Sequence, residues 1–371
     1  MMSELVVDLA KIRHNAAKLL EACRPLGITA MGITKGCCGS EELAEVFKAV
    51  GMDFLADSRI ENLKRLRHFP APKVLLRLPR PSEAAETVRY ADYSLNTQPI
   101  TLRRLSDEAL RQGRRHKVIL MIDVGDLREG IWIEDEKSIH HAVRAALRCQ
   151  GLELAGIGTN LTCYGGVIPT VENYTDLCQM ADLLRARHGI ALPMVSGGNS
   201  SCIRLLLSDQ MPRGITNLRV NQAVLLGREL ALGAPIDQWH TDAFTVTAEM
   251  VEIERKPSRP VGELAVCNAF GAPPQPADRG MRRRAILSIG RQDMDCPSLI
   301  PMDGRVEVVG ASSDHMIVDI TGSDTAYRVG DRMAFQVSSY ACLIAGMASP
   351  YIKKTFLGAL EHREMTKKEN C

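Results

Sequence analysis

Residues 28–39 read ITAMGITKGCCG, an apolar run of strand length that stops at Lys35 and turns at once into glycine and cysteine. Such a run reads as a buried strand that delivers one amine to its C-terminal end. If the strand opens a parallel barrel, that amine faces the rim where barrels place their chemistry. An isolated lysine at a strand end more often marks only where a core strand meets solvent, so the meaning of Lys35 depends on the rest of the chain.

Outward from this stretch, residues 4–8 (ELVVD) form a short apolar strand and residues 9–23 follow a helical period. From residue 28 strands and helices alternate. Strands are expected at 28–35, 53–57, 73–78, 91–95, 117–123, 152–160, 192–196 and 216–221. Amphipathic stretches lie between them at 40–50, 60–68, 81–90, 99–112, 134–149, 171–188 and 201–208. Eight alternations describe an α/β protein with a (β/α)8 TIM barrel rather than a doubly wound sheet, which more often has fewer strands. After Trp239 the texture becomes β-rich, with segments at 243–253, 263–268, 285–290, 305–309, 316–320 and 333–337 punctuated by proline, glycine and aspartate, as in CNAFGAPPQPADRG. The expected organisation is a barrel over 1–239, a C-terminal all-β domain over 240–357 and a disordered tail over 358–371, with residues 4–8 a candidate partner strand for the second domain.

Composition narrows the function. Lys plus Arg number 46 against 44 acids, a formal net charge of +2, which gives no general attraction to nucleic acid or anionic membrane. Charges fall too early in MMSELVVDLAKIRHN for a signal peptide, and no stretch is apolar over the roughly 18 residues that a span needs. A cytoplasmic location is expected. Eleven cysteines, dispersed and without CxxC spacing, read as reduced thiols, and nine histidines without ligand spacing predict no required metal.

A barrel gathers the residues that follow each strand at one rim, and here those residues are not random. Strand five ends in DVGDLREG (123–130), strand six in GTNLTCYGG (158–166), strand seven in SGGNSS (196–201) and strand eight in NLRVNQ (217–222). In SGGNSS two glycines let the backbone approach closely, and hydroxyls with the amides of the next helix start would cradle a phosphate. The loops after strands seven and eight are where barrels usually hold phosphate. A rim lysine beside a phosphate cradle calls for a cofactor with a phosphate at one end and an aldehyde at the other, and pyridoxal 5'-phosphate meets both demands.

The Lys35 strand, DVGDLREG, the Asn160 segment, SGGNSS, LRV (218–220) and ASSDH (311–315) together resemble the alanine-racemase-like, fold-type III pyridoxal-phosphate enzymes, from the first strand to about Lys354. The resemblance implies a barrel followed by a β domain, and a homodimer with active sites shared between subunits. It implies that Lys35 bonds the cofactor aldehyde and that Arg219 faces the pyridine nitrogen. Asn160 stands where alanine racemases have a histidine against the ring. Ser196, Ser200 and the backbone around Asn221 would hold the cofactor, Tyr340 matches a tyrosine on its phosphate side, and Arg128 matches an arginine near the substrate carboxylate. One departure stands out. The family's Gly-Tyr-Ala-Asp-Gly stretch is here Gly290-Arg291-Gln292-Asp293-Met294, so the usual catalytic tyrosine is replaced by Arg291 and Asp293 becomes the candidate second base.

The implied reaction is interconversion of the L and D forms of a free amino acid. The resemblance implies a cationic side chain on the substrate, ornithine first and lysine next, and DVGDLREG supports a cation independently by putting Asp126 and Glu129 beside Arg128, which leaves an acid for a distal ammonium. The rivals are an amino-acid decarboxylase or other lyase of the same fold, an alanine racemase, a cofactor carrier without catalysis and a non-enzymatic scaffold. Arg219 weighs against a lyase, since a guanidinium cannot accept the ring nitrogen's proton. The appended β domain weighs against a carrier, and the polar strand ends weigh against a scaffold.

Overall fold

The computed structural model describes residues 3–271, 273 and 277–358. They divide into two units, residues 9–241 and residues 3–8 with 242–358. The first strand, β1 (Glu4–Asp8), belongs to the latter.

In the unit of residues 9–241 eight strands close on themselves. They are β2 (Thr29–Ile33), β3 (Phe54–Asp57), β4 (Lys73–Leu75), β5 (Tyr93–Asn96), β6 (His116–Asp123), β8 (Leu152–Gly158), β9 (Met194–Ser196) and β10 (Asn217–Leu218), while a two-residue strand, β7 (Ile131–Trp132), lies alongside β6. Every pairing is parallel and neighbours follow chain order. The ring closes where Asn217 of β10 stands opposite Thr29 of β2. This is the expected barrel, and each expected strand segment overlaps one of the eight. Parallel strands covered on both faces read as continuous apolar runs, which is why HKVILMID and ITAMGI stand out in the sequence.

The barrel's interior holds Met31, Ile33, Ala56, Val74, Leu95, Ile119, Met121 and Met194 in one cluster. Burying an aliphatic side chain of this size contributes about 1.5 to 3 kcal/mol. Outside, helix Glu41–Val50 starts where the Ser40 hydroxyl accepts the Leu43 amide at 3.1 Å and ends at Gly51 in the left-handed region. Its Phe47 packs so closely on β2 that a Cβ on Gly32 would lie 2.7 Å from the ring, so only glycine fits there. Helix Val171–His188 begins with a reciprocal cap between Thr170 and Asn173 and stops at Gly189.

The other unit is a sheet built on the long β11 (Phe244–Pro257), followed by β12 (Met281–Leu287), β13 (Leu299–Pro301), β14 (Glu307–Ala311), β15 (Met316–Asp319), β16 (Arg332–Val337) and β17 (Lys353–Leu357). β11 pairs antiparallel with β1, β12 and β16, and β17 runs parallel to β1. Alternate residues Phe244, Val246, Ala248 and Met250 are buried, which gives the sheet its core face.

Two expectations fail here. Residues 263–268 (ELAVCN) form a loop rather than a strand. All six are exposed, Val266 to 93%, so strand propensity found no face to bury. The unit also carries a helix, Tyr340–Ala348, whose sequence YACLIAGMA is apolar nearly all round and so lacks a readable period. The tail expected at 358–371 lies, beyond Gly358, outside the described residues.

Candidate active site

The C-terminal ends of the barrel strands converge on a cavity of about 420 Å³ lined by Lys35, Arg77, Arg128, Glu129, Asn160, Cys163, Asn199 and Arg219 among others. Four of these are cations and one is an acid, so the cavity suits a ligand with more than one negative group. A wider groove of about 950 Å³ opens elsewhere on the barrel between residues 168–172, 201–210 and 229–237. Its charged residues do not include the lysine or the buried arginine.

Lys35 follows Thr34 directly off β2 and begins a tight helical turn over Lys35–Cys37, which Cys38 closes at φ 52°. The residue as a whole is half-buried. Burial holds its amine below the usual lysine range, opposed by Cys163 and Asp57 and reinforced by the charges of Arg128 and Arg219.

Arg219 comes off β10 and is 4% exposed. One Nη donates to Ser196 Oγ and the other to the Thr159 carbonyl, so among the described residues its hydrogen bonds go to neutral oxygens. Burial pulls its pKa down, although a guanidinium stays charged. The Ser196 hydroxyl donates onward to Asn217 Oδ1 at 2.7 Å, so Ser196, expected to touch a cofactor, is engaged in holding Arg219. Beside it, Gly198 adopts φ 102°, which favours glycine, and its carbonyl accepts the Arg219 amide at 2.7 Å. Ser200 is buried, and its Oγ accepts the amides of Asn221 and Ala223, each at 3.1 Å. With both N–H groups donated to its oxygen, the hydroxyl's own hydrogen has no acceptor among the described residues and could be donated to an anion.

Asn160 joins the two halves of the rim. Its Nδ2 donates to Glu129 Oε1 at 3.1 Å and its Oδ1 accepts Asn199 Nδ2 at 2.8 Å. The Asn199 amide also reaches the Leu161 carbonyl and Cys163 Sγ. Glu129 is gripped by the fork of Arg128, whose Nη2 donates to Oε1 at 2.5 Å while Nε donates to Oε2.

The structure corrects the expectation for Asp126. The sequence offers it as an acid free to meet the substrate, but it is 1% exposed, and its carboxylate accepts the backbone amides of Tyr164 at 3.0 Å and Val167 at 3.4 Å. It organises the loop after β8 and does not line the cavity; Glu129 does. Asp293 and Tyr340 lie in the sheet unit. Asp293 Oδ2 accepts the Gly290 amide at 2.9 Å, and Tyr340 opens the helix capped by Ser339. Sequence reading missed Arg77, Cys163 and Asp57. The first two follow β4 and β8. Asp57 ends β3 as Lys35 follows β2, so comparing every strand end, rather than the last four loops, would have exposed it.

The residues present fit pyridoxal phosphate. A half-buried lysine, a buried cation bonded to neutral oxygens and a serine with a spare hydrogen beside a glycine turn match its aldehyde, ring nitrogen and phosphate in turn. Among the described residues no group of three or more His, Cys, Asp or Glu is placed to hold a metal, and no helix is long and apolar enough to cross a membrane.

A closed parallel barrel with a cation-lined cavity at its strand ends, continued by a separate β unit, defines the two-unit barrel architecture of fold-type III enzymes. The chain belongs to the alanine racemase family: residues 7–219 match the model of the alanine racemase N-terminal domain. It is 42% identical over 357 residues, 96% of this chain and 100% of the relative, to the ornithine racemase of Acetoanaerobium sticklandii. It is 38% identical to the lysine racemase of Thermotoga maritima, over 95% of this chain and 98% of that protein. Its fold matches that of an alanine racemase from Bartonella henselae with covalently bound pyridoxal phosphate, with a TM-score of 0.71, 18% identity and coverage of 96% and 100% of the two chains.

Proposed function

We propose that the chain is a pyridoxal-phosphate-dependent racemase of a basic free amino acid, ornithine first and lysine next. The observation that carries this reading is the meeting of the half-buried Lys35 and the buried Arg219 in one cavity of about 420 Å³. The identity to ornithine and lysine racemases over nearly the whole chain supports it.

Lys35 would hold the cofactor by its aldehyde, the Ser200 hydroxyl, held in place by the Asn221 and Ala223 amides, would bind its phosphate, and Asn160 would contact its ring. When bound, the cofactor acts as the electron sink that stabilises negative charge at the substrate's α-carbon. The Lys35 amine takes or returns the α-proton, and burial that lowers its pKa makes its neutral form accessible for that task. Arg219 has no lone pair to accept a proton, so it would hold the cofactor's ring nitrogen unprotonated and would steer the chemistry the cofactor supplies away from decarboxylation and transamination. Arg128 takes the substrate carboxylate. Glu129, released from the Arg128 fork, then meets the distal ammonium. A zwitterion with a second cation thus replaces the Arg128–Glu129 pair charge for charge, which alanine does not do.

Racemisation needs proton exchange on the opposite face as well. The proposed donor is Asp293 of the sheet unit, contributed by the partner subunit of a homodimer with shared sites. The chain is taken to be cytoplasmic. The test is a visible spectrum of the purified protein followed by a screen of single L-amino acids for the D isomer. The reading expects a yellow protein with activity strongest on ornithine or lysine, and a colourless, inactive protein would reject it.

A further inference from the structure

Asp57 ends β3, next in the barrel to the strand that carries Lys35, and the chemistry above makes no use of it. Its carboxylate is fully buried, a placement that is costly unless every lone pair is used. Oδ2 accepts the Thr34 hydroxyl at 2.7 Å, while Oδ1 accepts the Arg59 amide at 2.9 Å and Asn62 Nδ2 at 3.0 Å. Thr34 is itself fully buried and immediately precedes Lys35. Its amide donates to the Ala56 carbonyl at 2.9 Å, and its hydroxyl is shared between that carbonyl and Asp57.

The same segment grips the far side of the lysine turn. Arg65 Nη1 donates to the Cys38 carbonyl at 2.7 Å, and Asn62 packs so tightly on Gly39 that a Cβ there would lie 2.6 Å from Asn62 Cβ. Residues 57–65 therefore hold the Lys35 turn at its entry and its exit. Lys35 and Asp57 also feel each other's charge. Burial raises the pKa of the Asp57 carboxyl, opposed by the bonds from Thr34, Arg59 and Asn62 and then by the Lys35 charge, while burial lowers that of the Lys35 amine, opposed by Cys163 and Asp57.

We propose that Asp57 is a positioning residue: through Thr34 it fixes the direction in which Lys35 enters the cavity, and from the neighbouring strand it sets a carboxylate next to the residue that precedes that amine. The catalytic consequence rests on the reading of Lys35 as the cofactor lysine; the brace itself does not. The charged and titratable groups around the pair are Arg128, Cys163 and Arg219 facing Lys35, and the Cys37 thiol facing Asp57.

The test is the pH dependence of acylation of Lys35 in the full-length, cofactor-free chain, read by mass spectrometry, alongside kcat of the cofactor-loaded enzyme. Asp57→Asn keeps the shape and removes the charge, so the Lys35 labelling midpoint should fall. Thr34→Val should lower kcat by about tenfold to a hundredfold with KM unchanged, as expected for a displaced reacting group, and Thr34→Ser should restore it. An Asp57→Asn protein that melts normally with an unmoved midpoint overturns the proposal. If that variant does not fold, equal kcat and equal midpoints in Thr34→Val and Thr34→Ser overturn it instead. A shifted midpoint in a chain that racemises no amino acid would leave the brace standing and reject the racemase.

Discussion

Glu129→Gln is the most informative change to the substrate side of the cavity. Glu129 is the one acid among the residues that line it, against Lys35, Arg77, Arg128 and Arg219. Its side chain is 16% exposed, so a bond it makes is partly shielded from water. A hydrogen bond to a charged group is worth about 1.5 to 3 kcal/mol net, and at about 1.4 kcal/mol per decade this is roughly tenfold to a hundredfold in kcat/KM. Glutamine keeps an oxygen for Asn160 Nδ2, which bonds Glu129 at 3.1 Å, so the rim should stay assembled. It also weakens the hold on the Arg128 fork, leaving that guanidinium freer for any α-carboxylate. The expected result is a fall of that size for ornithine and an unchanged or raised kcat/KM for alanine, measured by chiral chromatography of initial rates. Equal losses for both substrates would refute the reasoning and make Glu129 a scaffold for Arg128 and Asn160.

Other perturbations separate the remaining roles. Asp126→Asn removes the charge that collects the Tyr164 and Val167 amides, so it should lower stability by about 1 to 3 kcal/mol and reduce kcat/KM for ornithine and alanine alike; a selective loss for ornithine would restore Asp126 as a substrate reader. Arg219→Glu should slow racemisation and raise side reactions such as transamination, and an unchanged partition between products would discard its proposed effect on the ring nitrogen. His116, buried at the start of β6 with Nε2 2.8 Å from Ser94 Oγ, has its pKa lowered from 6.5 to about 4 by desolvation. Between those values the unfolded chain binds a proton that the folded one refuses, so stability should fall as pH drops from about 6.5 towards 4, by up to about 3 kcal/mol. In His116→Gln the melting temperature should lose that part of its pH dependence, and an unaltered profile would place the acid sensitivity elsewhere.

The barrel was legible because each strand is a short apolar run that ends in a polar loop, and because the strands pair in chain order, so local reading and topology coincide. The sheet unit was less so. β17 is positioned by its parallel pairing with β1, and Thr355 Oγ1 bonds Glu4 across 351 residues, information that no local pattern carries. Residues 263–268 have strand-like composition but no face to bury, and YACLIAGMA forms a helix without a period. At the site, Lys35 and Arg219 were readable because a charge at the end of a buried strand needs a reason. Asp126 was misread for a related cause: adjacency to Arg128 and Glu129 in sequence says nothing of direction, and left-handed Leu127, at φ 57°, separates a buried carboxylate from a pair that faces the cavity. Asp57 escaped notice because its partners, Thr34 and Asn62, meet it only when neighbouring strands are laid side by side.

The central claim is tested most directly by incubating L-ornithine with the cofactor-loaded enzyme in deuterium oxide and analysing the products by chiral separation and mass spectrometry. Racemisation through proton exchange at the α-carbon predicts D-ornithine carrying one deuterium there, with Lys35→Ala giving none. Loss of the carboxylate as carbon dioxide, or recovery of unlabelled L-ornithine alone, would contradict it.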